Sequence, residues 1–371
     1  VDTSTKAADG TTRTGLRDNA IAGLALALTV AAGVCEAAGA SQVVRFVVSG
    51  LALAAVAAVV GQAIEAVGER VGPSATGLLQ STLGNLPELF VGLFALHRGL
   101  VGVVRAALAG SILGNAVLVL GLAFVAGGLR HGRQRFDPEE PRLNASLLLL
   151  AVAALMVPTL AQRLNTPAAA HTDALSNACA IVLILVYAAT IPFALRRQRN
   201  GAPEPAAQPQ AERAGQLMGW SLKRSVTMLA LGSGAAALVS DWFTAALVPA
   251  THSLGLSQTF TGLVVVAIAS NAVEHAVGIR FALKAKPEYA ISTTLNSPLQ
   301  VALLLTPALV LLSSVVGPTK LTLVFPPLLV AALAVSALVV IAVIYDGEYT
   351  WIEGVALVGL YGIIATGFWW G

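Results

Sequence analysis

Charge is what this chain lacks most. Asp, Glu, Lys and Arg make up 11% of its 371 residues, against about 25% in an ordinary soluble domain. So few charges cannot clothe a water-facing surface of that size. Cysteine is as scarce: Cys35 and Cys179 both lie in apolar stretches without C-x-x-C spacing. They read as small buried hydrophobes, which excludes a disulfide scaffold and a thiolate metal site. The phosphate loop G-x-x-x-x-G-K-[ST], H-E-x-x-H and the G-x-S-x-G elbow are missing, so nothing couples the chain to ATP or makes it a hydrolase. No enzymatic reaction and no resident cofactor are expected. The stretch Val1 to Asn19 is polar and has no short apolar core before a cleavage site, so no cleaved signal peptide is expected.

What the chain has instead is apolar length. Hydrophobic residues reach 56%, mean hydropathy is +0.79, and the excess falls in blocks close to the roughly 20 residues that cross a bilayer. Breaks at charge, Pro and Gly place spans at Ile21–Ala40, Val43–Ile64, Gly77–Leu96, Val101–Gly127, Ala145–Leu164 and Ala174–Leu195. Five more follow at Leu222–Thr251, Phe260–Leu283, Ile291–Val315, Leu323–Tyr345 and Trp351–Trp370. The reading is an all-α integral membrane protein of about eleven transmembrane helices.

Between the sixth and seventh spans, Arg196 to Met218 is rich in Pro, Ala, Gln and charge and reads as a linker. The expected organisation is a tail and first helix (residues 1–42), a first repeat (43–195), a cytoplasmic linker (196–219) and a second repeat (220–371). With eleven spans, Arg45, Arg98, Arg105, Arg163 and Lys320 fall on one side and the other seventeen of the 22 basic residues on the opposite side. That asymmetry, and not nucleic-acid binding, accounts for the net charge of +3. It predicts a multi-pass protein of the cell (inner) membrane with a cytoplasmic N-terminus and the C-terminus on the far side.

The two halves repeat each other. At an offset of 186 residues, GNLPELFVGLFAL (Gly84–Leu96) faces SNAVEHAVGIRFA (Ser270–Ala282), placing Asn85 on Asn271 and Glu88 on Glu274. At the same offset Gly110-Ser111-Ile112-Leu113 faces Asn296-Ser297-Pro298-Leu299. Five spans separate the two motifs, an odd number, so the second must enter the membrane from the opposite face: two inverted five-helix repeats follow the first helix, as in secondary transporters.

Glu88 and Glu274 lie well inside spans, where a charged side chain costs about 2.5–3.5 kcal/mol or more. A cation shared between them near the midplane offsets both costs. Gly84, Asn85 and Pro87 crowd before Glu88 and mark a broken helix with free carbonyls, Asn85 and Asn271 add amide oxygens, and Ser270 stands as the counterpart of Gly84. The next span of each half supplies Ser111 with Asn115 and Ser297 with Gln300. Two carboxylates among neutral oxygens suit calcium, which takes 6–8 oxygen ligands, better than zinc. His275 beside Glu274 is a candidate for tuning its proton, and Glu65 and Asp241 are candidates for lining the cytoplasmic approach.

These residues resemble the cation/proton exchanger branch of the Ca2+:cation antiporter superfamily, whose members pair a GNxxE motif with a GNAAEH-like one. The likeness extends from about Arg45 to Phe368 and includes LAGSILGNAVLVLG and the stretch ending SNAVEH. It departs at Leu86-Pro87, at Ser270 in place of Gly, and at Asn296-Ser297-Pro298 in place of a GSS run. The resemblance implies that Glu88 and Glu274 bind the transported Ca2+ and exchange it for H+ by alternating access. The residues themselves leave open an exchanger of Na+ or K+ for H+, a Na+/Ca2+ exchanger, and, from another class, a passive channel or non-transporting scaffold.

Overall fold

A computed structural model describes residues 3–71, 83–199 and 221–370. The start of the third expected span and most of the expected linker lie outside them. The described residues are mostly helical: α1 (Thr3–Ala37), α2 (Gln42–Val71), α3 (Leu86–His97), α4 (Val101–His131), α5 (Glu139–Arg163) and α6 (Thr172–Arg199) form the first half. The second comprises α7 (Leu222–Ser253), α8 (Gln258–Ser270), α9 (Ala272–Leu283), α10 (Pro287–Val316), α11 (Pro327–Ile344) and α12 (Trp351–Gly367).

Among the described residues, eight helices are long and apolar enough to cross a membrane, or nine if α8 and α9, bent by 66° at Asn271, count as one span. The other two expected spans correspond to the shorter apolar helices α3 and α12, so the count of eleven is not reached by length and hydropathy alone. Helix α6 runs on to Arg199, past the expected start of the linker at residue 196. The apolar run ends at Leu195, but Arg196–Arg199 are good helix formers and extend it.

The repeat is visible in element boundaries. Displaced by 186, α3 falls on α9 end for end and the start of α4 falls on the start of α10. Both of the latter helices widen into a π-helical turn at related positions, Gly114–Val119 and Val301–Leu305. The connections also correspond: Gly99 takes a left-handed φ of 73° before α4, and Ala285, its counterpart before α10, is held at 52°. For alanine that conformation is strained, and its occurrence at this site reflects a turn geometry common to both halves.

The chain divides into two compact units, one of Val1–Val91 and Pro203–Leu254, the other of Gly92–Ala202 and Gly255–Gly371. Each draws on both halves of the sequence. In the first, α1 and α7 pack with α2, burying Ala25, Val56, Val60, Ile64 and Ala236, and Phe46 stacks on Phe243 at 4.8 Å.

In the second unit, contacts between connections sort into two ends. At one end His97 meets the Val316 carbonyl (3.4 Å), Lys320 pairs with Asp173 (3.1 Å), Arg105 donates to Thr322, and Ser257 donates to the Phe368 carbonyl (2.6 Å). At the other, His131 meets the Leu283 carbonyl at 3.0 Å. There the two-residue strand β1 (Gln134–Arg135) also pairs antiparallel with β2 (Glu348–Tyr349). Helix α4 therefore runs from the first end to the second, whereas its counterpart α10 runs from the second to the first. The relation between these repeat-equivalent helices is an inversion.

Glycine sets the closest helix approaches, as in other membrane bundles. A Cβ at Gly110 of α4 would sit 2.1 Å from the Leu263 carbonyl oxygen of α8, and Gly121 and Gly354 bring α4 and α12 together backbone to backbone. Gly61 of α2, by contrast, has nothing within 4 Å of where its Cβ would stand. Gly110→Ala is expected to lower thermal stability in detergent by the equivalent of about 3 kcal/mol or more, as overpacking against backbone cannot relax. Gly61→Ala should be neutral or up to about 1 kcal/mol stabilising. Equal melting temperatures for the two variants would contradict the packing.

Candidate cation-binding site

Both motif glutamates occupy the first turn of a helix, and the second of these helices, α9, follows the 66° bend at Asn271. Asn85 accepts the Leu89 N–H at its backbone carbonyl (2.9 Å), and Asn271 accepts the His275 N–H in the same way (3.0 Å). Each Asn thus begins a helix and puts the carboxylate three residues on, Glu88 or Glu274, at the end carrying the positive pole of the peptide dipoles. Asn85, Pro87 and Asn271 are buried, and Gly84, Glu88 and Glu274 are half-buried. Glu88 belongs to the first unit and Glu274 to the second.

Around Glu274 the second unit assembles a polar cluster from four helices, α4, α8, α9 and α10. Asn115, in the π-helical turn of α4, donates its amide N–H groups to Asn271 Oδ1 (3.0 Å), Ser297 Oγ (3.2 Å) and the Ser111 carbonyl (3.3 Å). Ser111 also donates its hydroxyl to Asn271 Oδ1, at 3.3 Å. The Asn271 amide donates in turn to the Ala267 carbonyl (2.9 Å) and to Ser270 Oγ (3.1 Å), while Ser270 donates to the Val266 carbonyl at 3.0 Å. The Glu274 carboxyl lies within hydrogen-bonding reach of the Ser297 and Asn115 side chains. Its Oε2 is shut off from solvent and has no hydrogen-bond partner among the described residues.

That oxygen is the informative atom. Buried polar atoms are almost always bonded, and one left over on a carboxyl group is where a proton or a cation belongs. The surrounding donor set is all oxygen and amide, which suits a hard cation over zinc or copper. Among the described residues no three His, Cys, Asp or Glu side chains gather into a metal site, so a cation here would be held by one or two carboxylates among neutral ligands.

The expected residues divide accordingly. The structure brings Glu274, Asn271, Ser270, Ser111, Asn115 and Ser297 into one cluster. Asn271 acts there as the hub that ties α8 and α9 to α4, its amide oxygen already accepting two hydrogen bonds. Gln300, half-buried at the last position before the second π-helical turn, lies one turn past Ser297. His275 is also half-buried, with Nε2 shielded from solvent and unbonded among the described residues, 3.9 Å from where a Cβ on Gly114 would stand. Its ring therefore faces the same stretch of α4 as Glu274, although adjacent helical positions diverge by about 100°. Glu65 in α2 and Asp241 in α7 are half-buried and belong to the first unit, as do Asn85 and Gly84.

One neighbouring feature was not anticipated. Asn296, taken from the sequence only as a departure at a glycine position, accepts from Asn144 of α5 (2.8 Å) and donates to Ser292 (3.0 Å), which donates to Glu140 at 3.2 Å. The available signal was the i, i+4 spacing of Ser292 and Asn296 in the polar first half of a span.

The sequence pattern of the family described as sodium/calcium exchanger protein matches residues 41–196 and 224–370. A Ca2+/H+ antiporter of Synechocystis sp. is 36% identical over 343 residues, spanning 87% of this chain and 90% of its own. The Ca2+/H+ antiporter ChaA of Bacillus subtilis is 36% identical over 334 residues, spanning 88% and 92%. Among solved structures, native YfkE superposes with a TM-score of 0.79 at 31% identity, covering 94% of this chain and 99% of that one. The H+/Ca2+ exchanger CAX, at 18% identity, shares the fold with a TM-score of 0.76 and coverage of 96% and 92%.

The cluster yields a direct test. Asn115→Asp keeps size and shape but replaces a donor by an acceptor facing three oxygens. It is expected to cost about 1–3 kcal/mol for each acceptor orphaned, read as a lower melting temperature in detergent. An unchanged melting temperature would mean that Asn115 is not the donor.

Proposed function

This chain belongs to the sodium/calcium exchanger protein family, in its cation/proton exchanger branch, and from that membership we propose that it exchanges Ca2+ for H+ with Glu88 and Glu274 as the ion-binding carboxylates. It works as a transporter and catalyses no covalent reaction. The observation that carries the residue assignment is the shielded, unbonded Oε2 of Glu274 at the start of a broken helix, in a motif repeated 186 residues away at Glu88.

The mechanism follows from charge. A carboxylate in a low-dielectric interior is stable when protonated or when facing a cation, and expensive when bare. Protons and Ca2+ therefore compete for one set of oxygens. When the site changes access only in its neutralised states, each passage of Ca2+ in one direction is matched by protons in the other, and a gradient of either drives the other without ATP. Asn115 and Ser297 assist by donating to the carboxyl in its ionised state and can turn hydroxyl or amide oxygens toward a bound ion. Ser111, Asn271 and Gln300 complete the polar lining, and His275 tunes the proton affinity of its neighbour. Glu65 and Asp241 line the approach from the cytoplasm.

The basic-residue asymmetry supports placing the protein in the cell membrane with its N-terminus cytoplasmic. The loops that meet at each end of the second unit are those that eleven alternating spans would put on a common side.

In reconstituted vesicles, Glu88→Gln and Glu274→Gln are each expected to abolish Ca2+-dependent proton flux while the protein still inserts. Wild-type flux from either variant would refute the assignment. Running Ca2+, Na+ and K+ side by side tests the substrate: proton counterflow with Ca2+ is expected, and conduction of any of these ions without proton counterflow would point to a channel.

A further inference from the structure

Ser297 is a ligand-side residue only if α10 is rotated so that Ser297 faces Glu274, and helix α10 is poorly equipped to hold that rotation by itself. Pro298 follows immediately and has no N–H to give the Thr294 carbonyl. Three residues later the helix widens into the π turn Val301–Leu305. The backbone ladder is thus incomplete at the site.

We propose that the side-chain string Asn144, Asn296, Ser292 and Glu140 is a positioning device that fixes the rotation of α10 and so aims Ser297 at Glu274. Ser292 and Asn296 are one turn apart on the same edge of α10, and Ser297 lies about 100° round from Asn296. One edge is therefore pinned to α5 while the adjoining edge faces the cation site. The string has a single direction: Asn144 donates to Asn296 Oδ1, Asn296 donates to Ser292 Oγ, and Ser292 donates to Glu140 Oε1. It terminates on a carboxylate, an acceptor that strengthens the bond it receives and polarises those before it. Asn144 and Ser292 are buried, so turning α10 away from α5 would strand several polar groups at once. Two of the four members are carboxamides, which hold geometry but do not trade protons near neutral pH, so the string carries orientation and not protons.

The first half solves the same problem differently. The residues equivalent to Ser292 and Asn296 are Ala106 and Gly110, small enough for α8 to close on α4 until backbone meets backbone. There direct packing fixes the rotation; on α10 the polar string does so.

This inference rests on the assignment of Ser297 and Glu274 to the cation site, and the experiment separates the two. In vesicles of the full-length protein, Asn144→Ala and Asn296→Ala should each raise the KM for Ca2+ roughly three- to tenfold with Vmax near wild type, the effect of one hydrogen bond on a positioned ligand. The double variant should be no worse than the more severe single one, since both cut one string. Glu140→Gln retains the acceptor oxygen and should stay within about twofold of wild type, whereas Glu140→Ala should match Asn144→Ala. Lower insertion and Vmax with an unchanged KM would mean mere structural support and would overturn the proposal. Ser297→Ala in the same assay tests the premise: a raised KM there with unaffected string variants leaves the site standing and sinks the string. An unchanged KM for Ser297→Ala removes both. Should Asn296→Ala fail to insert, Asn144→Ala breaks the same bond from α5 and decides the matter.

Discussion

The second unit is organised around a carboxyl group that cannot stay bare. Glu274 has one oxygen cut off from water and from every described polar neighbour, and in a medium of low dielectric such a group demands a positive partner. Most of what surrounds it prepares for that partner without replacing it. The helix break at Asn271 brings the carboxyl to a favourable pole, the π-helical turn of α4 carries Asn115 within reach, and among the described residues no Lys or Arg pairs with it. A permanent Lys or Arg there would have stabilised the fold and left nothing to exchange.

Much of this was legible in the amino-acid order, for a physical reason. Lipid removes the usual ambiguity of apolar periodicity, so uninterrupted runs such as Val101–Gly127 and Leu323–Tyr345 announce helices directly, and the few charges inside them stand out as costs needing explanation. The 186-residue offset linking Glu88 to Glu274 emerged from the same scarcity. Hydropathy cannot report where a helix bends, and so the 66° turn at Asn271 was visible only as a small polar motif. Nor does it report length in space: Trp351–Trp370 reads as a full span, whereas α12 is helical over Trp351–Gly367. The role of Asn296 was hidden because Asn144, which donates to it, and Glu140, which accepts from its neighbour Ser292, lie some 150 residues away, brought near only by the packing of α5 on α10.

The two halves share a plan yet differ in how they are held. Equivalent helices widen into π turns at matching positions and run in opposite directions, but α4 is seated by glycine against backbone and α10 by polar side chains. Close apolar packing is rigid and insensitive to what binds nearby, whereas a string ending on a carboxylate responds to the electrostatics of its surroundings. The asymmetry sits one residue from Ser297, on the half that also carries His275.

The way the compact units are drawn from the sequence also sets an order of birth. The first unit needs nothing beyond Leu254, while the second needs Gly92–Ala202 together with everything from Gly255 onward. As the ribosome delivers the polypeptide, α4, α5 and α6 enter the bilayer long before α8 to α12 exist to cover them. Their glycine grooves and the amides of Asn115 and Asn144 find their partners only when the last third of the protein arrives to close around them.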